Sequence, residues 1–132
     1  MKLSDIKKGY AGLNAGQWVD NLPVQLFDGI SLKLRRIGNP DFLTMQAKLN
    51  EESSDLSSEA NDQRILKECV ISTCLLDWKG VDDPFTIDTA RELLADPDLG
   101  GPFWNLLLLG LNKLTENAKA ALEADTKNSP TP

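Results

Sequence analysis

Few residues in this chain have types and spacings suited to chemistry: Cys69 and Cys74, the neighbours Asp82 and Asp83, Lys79 beside Trp78, and the run Asp96-Pro97-Asp98-Leu99-Gly100-Gly101. Two cysteines five positions apart on a helix diverge, at about 100° per residue. They lack Cys-x-x-Cys spacing and so match neither a redox motif nor a zinc knuckle; reduced core thiols are expected. A carboxylate pair can act as acid and base, but Asp82 and Asp83 sit in an acidic turn before Pro84, where solvated charges are the simpler expectation. Lys79 has a neighbouring ring to stack on, although a cation at a helix end needs no such role. The Asp96 run starts like a calcium loop, lacks the third acidic ligand before its glycine, and has Leu107 where the closing glutamate belongs. A capped helix boundary fits it better. The chain has no histidine, which removes His-based nucleophile arrangements and the commonest zinc ligand. The expectation is a protein that is not an enzyme, with no catalytic residue, metal or cofactor.

The elements that position these residues follow from the surrounding pattern. The apolar run Cys69 to Leu76, with the residues before it, predicts a helix over about Ala60 to Lys79. Gly80 suits a left-handed helix close, and Lys79 the negative end of the dipole. Pro84 pushes Asp83 out of helical geometry. Thr86 is placed to cap the next helix, with Asp88 in its first turn and Phe85 stapled onto Ala90. The stretch reads as helix, stiff acidic loop, helix, with Trp78 as a buried anchor.

Upstream, the alternation of Leu22, Val24 and Leu26 with Ile30, Leu32 and Leu34 about Phe27-Asp28-Gly29 predicts a β-hairpin. A two-residue Asp-Gly turn would set Leu26 against Ser31 and Val24 against Lys33, spoiling both faces. A three-residue loop with Gly29 left-handed pairs Leu26 with Ile30, Val24 with Leu32 and Leu22 with Leu34. Pro23, without an amide donor, belongs at an edge or strand start. Asn39-Pro40 starts a helix bearing Phe42, Met45 and Leu49. The serine-rich, acidic stretch from Glu51 to Glu59, with only Leu56 apolar, reads as a solvated linker.

The order and spacing of Leu76, Asp77, Trp78, Gly80, Phe85, Ala90, Leu93 and Leu94 resemble the tail assembly chaperones of long-tailed, siphovirus-type bacteriophages. The hairpin ending in Arg35-Arg36-Ile37-Gly38-Asn39-Pro40 and the helix after it look like the N-terminal part of the same family. The resemblance implies a non-catalytic chaperone that binds the tape measure protein and keeps it soluble while the tail tube is built. It also implies the tail tube protein as a further contact and absence from the mature virion, while a second copy of the chain is a partner that Leu106 and Leu109 of the last helix suggest. The alternative is a structural virion component such as a head-tail connector or tail completion protein.

The last helix starts at Gly100-Gly101-Pro102 and carries a core stripe of Phe103, Leu107, Leu111, Leu114, Ala118 and Leu122, widened by Trp104 and Leu108. Leu106 and Leu109 fall outside that stripe. Exposed leucines forgo about 1.5 to 3 kcal/mol each, so they must be covered, by the hairpin or by a partner. Trp104, Leu106 and Leu109 are therefore the candidate partner-binding residues.

With 132 residues and a formal charge of −6, and a pI near 4.6, the chain is suited to a protein partner and not to nucleic acid, which selects basic surfaces. The polar start from Met1 to Ile6 shows no secretory signal, and the apolar runs fall short of the roughly 20 residues that span a bilayer. A location in the host cytoplasm, with no membrane partner, is expected. The fold expectation is α+β, mainly α-helical, with an N-terminal β-hairpin packed on about four helices. Residues 1–16 are expected as a flexible arm with Tyr10 or Leu13 as docking points, 17–125 as a single globular domain, and 126–132 as a disordered tail.

Overall fold

Asn39, Ser58 and Thr86 each precede a helix, and each side chain accepts the backbone N–H three residues on, from Phe42, Asn61 and Thr89. These local caps set three of the helix starts in a computed structural model that describes residues 2–53 and 58–128, the side chains after Ala120 only at Glu123. The order is α1 (Leu3–Ala15), β1 (Gln17–Val19), a 3-10 turn (Gln25–Phe27), β2 (Ser31–Leu34), α2 (Pro40–Glu52), α3 (Glu59–Cys69), a π-helical turn (Val70–Cys74), β3 (Leu75–Lys79), α4 (Ile87–Ala95) and α5 (Gly100–Asn128). The class is α+β and mainly helical, the described residues forming five α-helices around one three-stranded antiparallel sheet of order β1-β2-β3.

The N-terminal segment read as a loose arm is helix α1, which lies against α5 and buries Leu13. Its C-terminal carbonyls are received by the two arginines that follow β2: Arg36 N–H donates to Leu13 O at 3.0 Å and Arg35 Nε to Asn14 O at 2.5 Å. The Arg36 donor is its backbone amide, while the Arg35 guanidinium brings a cation to the negative end of the helix. At the other terminus α5 continues through Asn128, so residues 126–128 of the expected tail are helical; 129–132, and Leu56 of the acidic linker, lie outside the described residues.

The hairpin is present with a different register. Gln17 pairs with Leu34, Trp18 with Lys33 and Val19 with Leu32, so Leu22, Val24 and Leu26 belong to the connection and not to a strand. The reason is local. Asn21 takes a left-handed φ of 56°, Pro23 has no donor, and Val24 N–H turns back onto Leu22 O at 2.9 Å, which breaks the extended run. Leu22 still reaches the core, whereas Leu26 is 58% exposed. Gly29 is left-handed, as expected, at φ 81°.

The predicted helix over Ala60 to Lys79 stops ten residues early. After α3 the backbone widens into the π turn and then extends as β3, which pairs Lys79 with Ser31, Trp78 with Leu32 and Asp77 with Lys33. Carbonyls released where the helix fails need partners. Arg35 N–H donates to Cys74 O at 2.8 Å, and the side chains of Arg35 and Asn39 both reach Thr73 O at 3.4 Å. Gly80 thus ends a strand, at φ 87°, and a Cβ there would meet Gly29 O at 2.5 Å.

Val19, Leu32, Leu34, Leu75 and Trp78 are buried beneath α5, on one face of the sheet. Trp18, Lys33, Asp77 and Lys79 occupy the other, where Lys79 Nζ lies 4.0 Å over the Trp18 ring. Trp78 N–H donates to Asp77 Oδ1, which occupies an edge donor that would otherwise invite another strand. The Trp78 ring packs edge-on to Phe85 and Phe103 at 5.2 and 6.3 Å, and its Nε1 donates to Asp83 O at 2.8 Å. Trp78 is the buried anchor that its place before the acidic turn suggested.

Candidate partner-binding surface

Helix α5 packs against the sheet, α1 and α4 together, so its buried arc is wider than a single stripe. Phe103, Leu106, Leu107, Leu111 and Leu114 are all buried. Gly110 permits close approach of the sheet: a Cβ would stand 2.7 Å from Leu34 Cδ1. Leu106, fully buried, is therefore core and has no surface to offer a partner. Leu109 is half-buried on the flank toward Lys113, whose Nζ donates to Asp20 O. Trp104 is half-buried, with Lys67 Nζ 5.7 Å from its ring centroid. Among the described leucines of α5, Leu108 is the most open to solvent, at 39% exposed, one turn after Trp104 on the same side.

Leu108 opens into a groove of about 410 Å³ between α1 and α5, lined by Tyr10, Leu13, Arg36, Ile37, Leu108 and Leu111, with Asn112 and Thr115 along its rim. Tyr10, Ile37 and Leu108 are large apolar or aromatic side chains left open to solvent. The sequence reading put Leu108 in the core stripe, which its exposure corrects, and offered Tyr10 or Leu13 only as points where the N-terminal arm docks, a part that buried Leu13 takes. Arg36 and Ile37 were missed as lining residues, because nothing local shows that the chain after β2 passes the end of α1.

Arg36 is half-buried as a residue in this groove, with its Nη1 on the exposed side. Its Nε donates to Asn14 Oδ1 at 2.8 Å, its Nη1 reaches Ile37 O at 3.4 Å, and its guanidinium carbon lies 5.0 Å from the Tyr10 ring centroid. Arg35 is paired instead, Nη1 to Asp41 Oδ2 at 2.7 Å. A smaller cleft of about 300 Å³, lined by Leu26, Phe27, Ile30, Trp78, Val81 and Leu93, carries Asp28 and Asp83.

The titratable groups that depart from ordinary behaviour lie elsewhere and serve the fold. The bidentate bond from Arg91 holds the Glu68 carboxyl below its usual range and raises Arg91 in turn. Backbone N–H groups of Leu99 and Asp98 lower Asp96, which makes the suspected calcium loop a capped turn before α5. Burial pushes the Cys69 thiol up and Cys74 to about 11; both are free and buried. Asp82 and Asp83 are exposed. Among the described residues no group of three or more His, Cys, Asp or Glu is placed to hold a metal ion, and no helix is long and apolar enough to cross a membrane. What this surface can do is bind another chain by apolar contact around one cation.

Comparison with protein-family models, curated proteins and solved structures finds no match to this chain.

Proposed function

We propose that this chain is a non-catalytic phage tail assembly chaperone, which binds the tape measure protein and keeps it soluble until tail tube subunits replace it. The reading places it in the cytoplasm of the bacterial host and outside the mature virion. The observation that carries it is the solvent-open apolar groove of Tyr10, Ile37 and Leu108 between α1 and α5; the resemblance of Leu76 to Leu94 supplies the client. A long helical client with apolar stripes is soluble only while those stripes are covered, and an amphipathic helix laid into a groove covers them reversibly. Trp104 and Leu109, both half-buried, do not line this groove, and Leu108 replaces Leu106 as its centre.

Particle composition tests the proposal. Mass spectrometry of purified mature tails should find the tube and tape measure proteins without this chain, which should appear in lysates during assembly. A fixed copy number in mature tails would overturn the chaperone reading in favour of a structural virion component.

A further inference from the structure

We infer that the α1–α5 groove selects an amphipathic helix bearing a carboxylate beside its apolar face, and that Arg36 is the residue that recognises this carboxylate. The inference rests on the partner-binding role proposed above and adds the chemistry of the segment bound.

Three observations carry it. First, of two adjacent arginines Arg35 has a carboxylate and Arg36 has none: among the described residues no Asp or Glu oxygen lies within 4.0 Å of its guanidinium. A cation among apolar side chains is stabilised by a counter-charge, and the planar edge of a guanidinium matches a carboxylate with two parallel hydrogen bonds. Second, the guanidinium is already oriented. Asn14 holds Nε and the Tyr10 ring lies beneath it, so little side-chain freedom is lost when a carboxylate docks. Third, the surrounding charge is of the right sign. Lys7, one turn before Tyr10 on α1, and Lys119, one turn after Thr115 on α5, are both exposed, against the exposed carboxylate of Glu116 one turn after Asn112. Met1 to Asn50 carries seven Lys and Arg against four Asp, whereas Glu51 to Pro132 carries seven against sixteen Asp and Glu. An acidic helix is repelled by most of this surface and drawn to the groove.

The probes are stapled helical peptides of about 15 residues with leucines at i, i+4 and i+7 and, next to them, one Glu, Gln or Lys. Binding to the full chain is read by fluorescence anisotropy. The Glu peptide should bind the wild type about tenfold more tightly than the Gln peptide, with the Lys peptide weakest and the Glu advantage shrinking as salt rises. Arg36→Gln should bring the ratio of Glu-peptide to Gln-peptide affinity to about one, whatever it does to the affinity the two share. Equal affinity for the Glu and Gln peptides, or no binding of either, overturns the inference; this comparison uses wild-type protein and does not depend on a variant folding. Sedimentation of the wild type supplies a further arm, since a dimer dissociated by Leu108→Asp would make a second copy the occupant and also overturn it. Co-purification with the tape measure protein tests the chaperone role separately, because that result is independent of the peptides' charge preference.

Discussion

Gly29 and Gly80 both adopt left-handed backbone, yet their surroundings differ and so should the effect of a side chain. At Gly29 nothing lies within 4 Å of an added Cβ, whereas at Gly80 the Cβ runs into Gly29 O and Ile30 Cα. Gly29→Ala should cost about 1 kcal/mol from backbone strain alone, and Gly80→Ala clearly more, because the β2 and β3 ends must also separate. Urea unfolding of the two variants measures the difference; equal losses would mean that the contact relaxes freely. Both glycines were expected to be left-handed, Gly29 from a three-residue hairpin loop and Gly80 from a helix end, neither of which forms. The role of Gly80 was not legible, since a left-handed glycine closes a helix or ends a strand with the same local sequence. Asn39 and Thr86 were legible as caps because a cap and the N–H that donates to it lie three residues apart, within reach of local reasoning.

At the scale of elements, the failures share a cause. Leu75–Lys79 is a strand only because β2 lies beside it, more than 40 residues earlier in sequence, and apolar periodicity cannot see a partner at that distance. Helix α1 buries Leu13 alone, too sparse a stripe to announce a helix. The join between α2, β2 and the π turn is held by Asn39, whose Oδ1 caps Phe42 N while Nδ2 donates to Arg36 O at 2.9 Å and Thr73 O at 3.4 Å. Asn39→Asp keeps the acceptor and removes both donors in a fully buried place. It should destabilise the domain at neutral pH by more than about 2 kcal/mol, beyond the loss of an ordinary cap. A melting temperature equal to wild type would show that the cap is all Asn39 contributes. On α5 the arc left uncovered by sheet, α1 and α4 is what makes Leu108 a surface residue and Leu106 a core one. A single-stripe wheel could not decide between them.

At the scale of the whole molecule, charge and stability are linked through α3 and α4. Glu68 is held below its ordinary value of 4.5 by Arg91, so the folded state binds its proton less readily than the unfolded chain. The stabilisation is therefore fully present above that value and is lost as pH falls through the lowered folded one. Asp96, lowered by two backbone N–H groups, acts in the same direction from its ordinary 3.8. Denaturation midpoints should drop between about pH 5 and about pH 3, and Glu68→Gln should flatten part of that decline. An unchanged profile would remove the Glu68–Arg91 pair as a determinant.

The central claim is that a client docks on the groove between α1 and α5, with Leu108 at its centre. Its most direct test is co-expression of the chain with a phage tape measure protein, the client the proposal names, followed by size-exclusion chromatography, for wild type, Leu108→Asp and Leu106→Asp. The wild type should hold the tape measure protein in solution and elute with it. Leu108→Asp should keep the wild-type melting temperature and lose the complex, while Leu106→Asp, which buries a charge, should fail to fold. A folded Leu108→Asp variant that co-elutes with the tape measure protein as the wild type does would contradict the account.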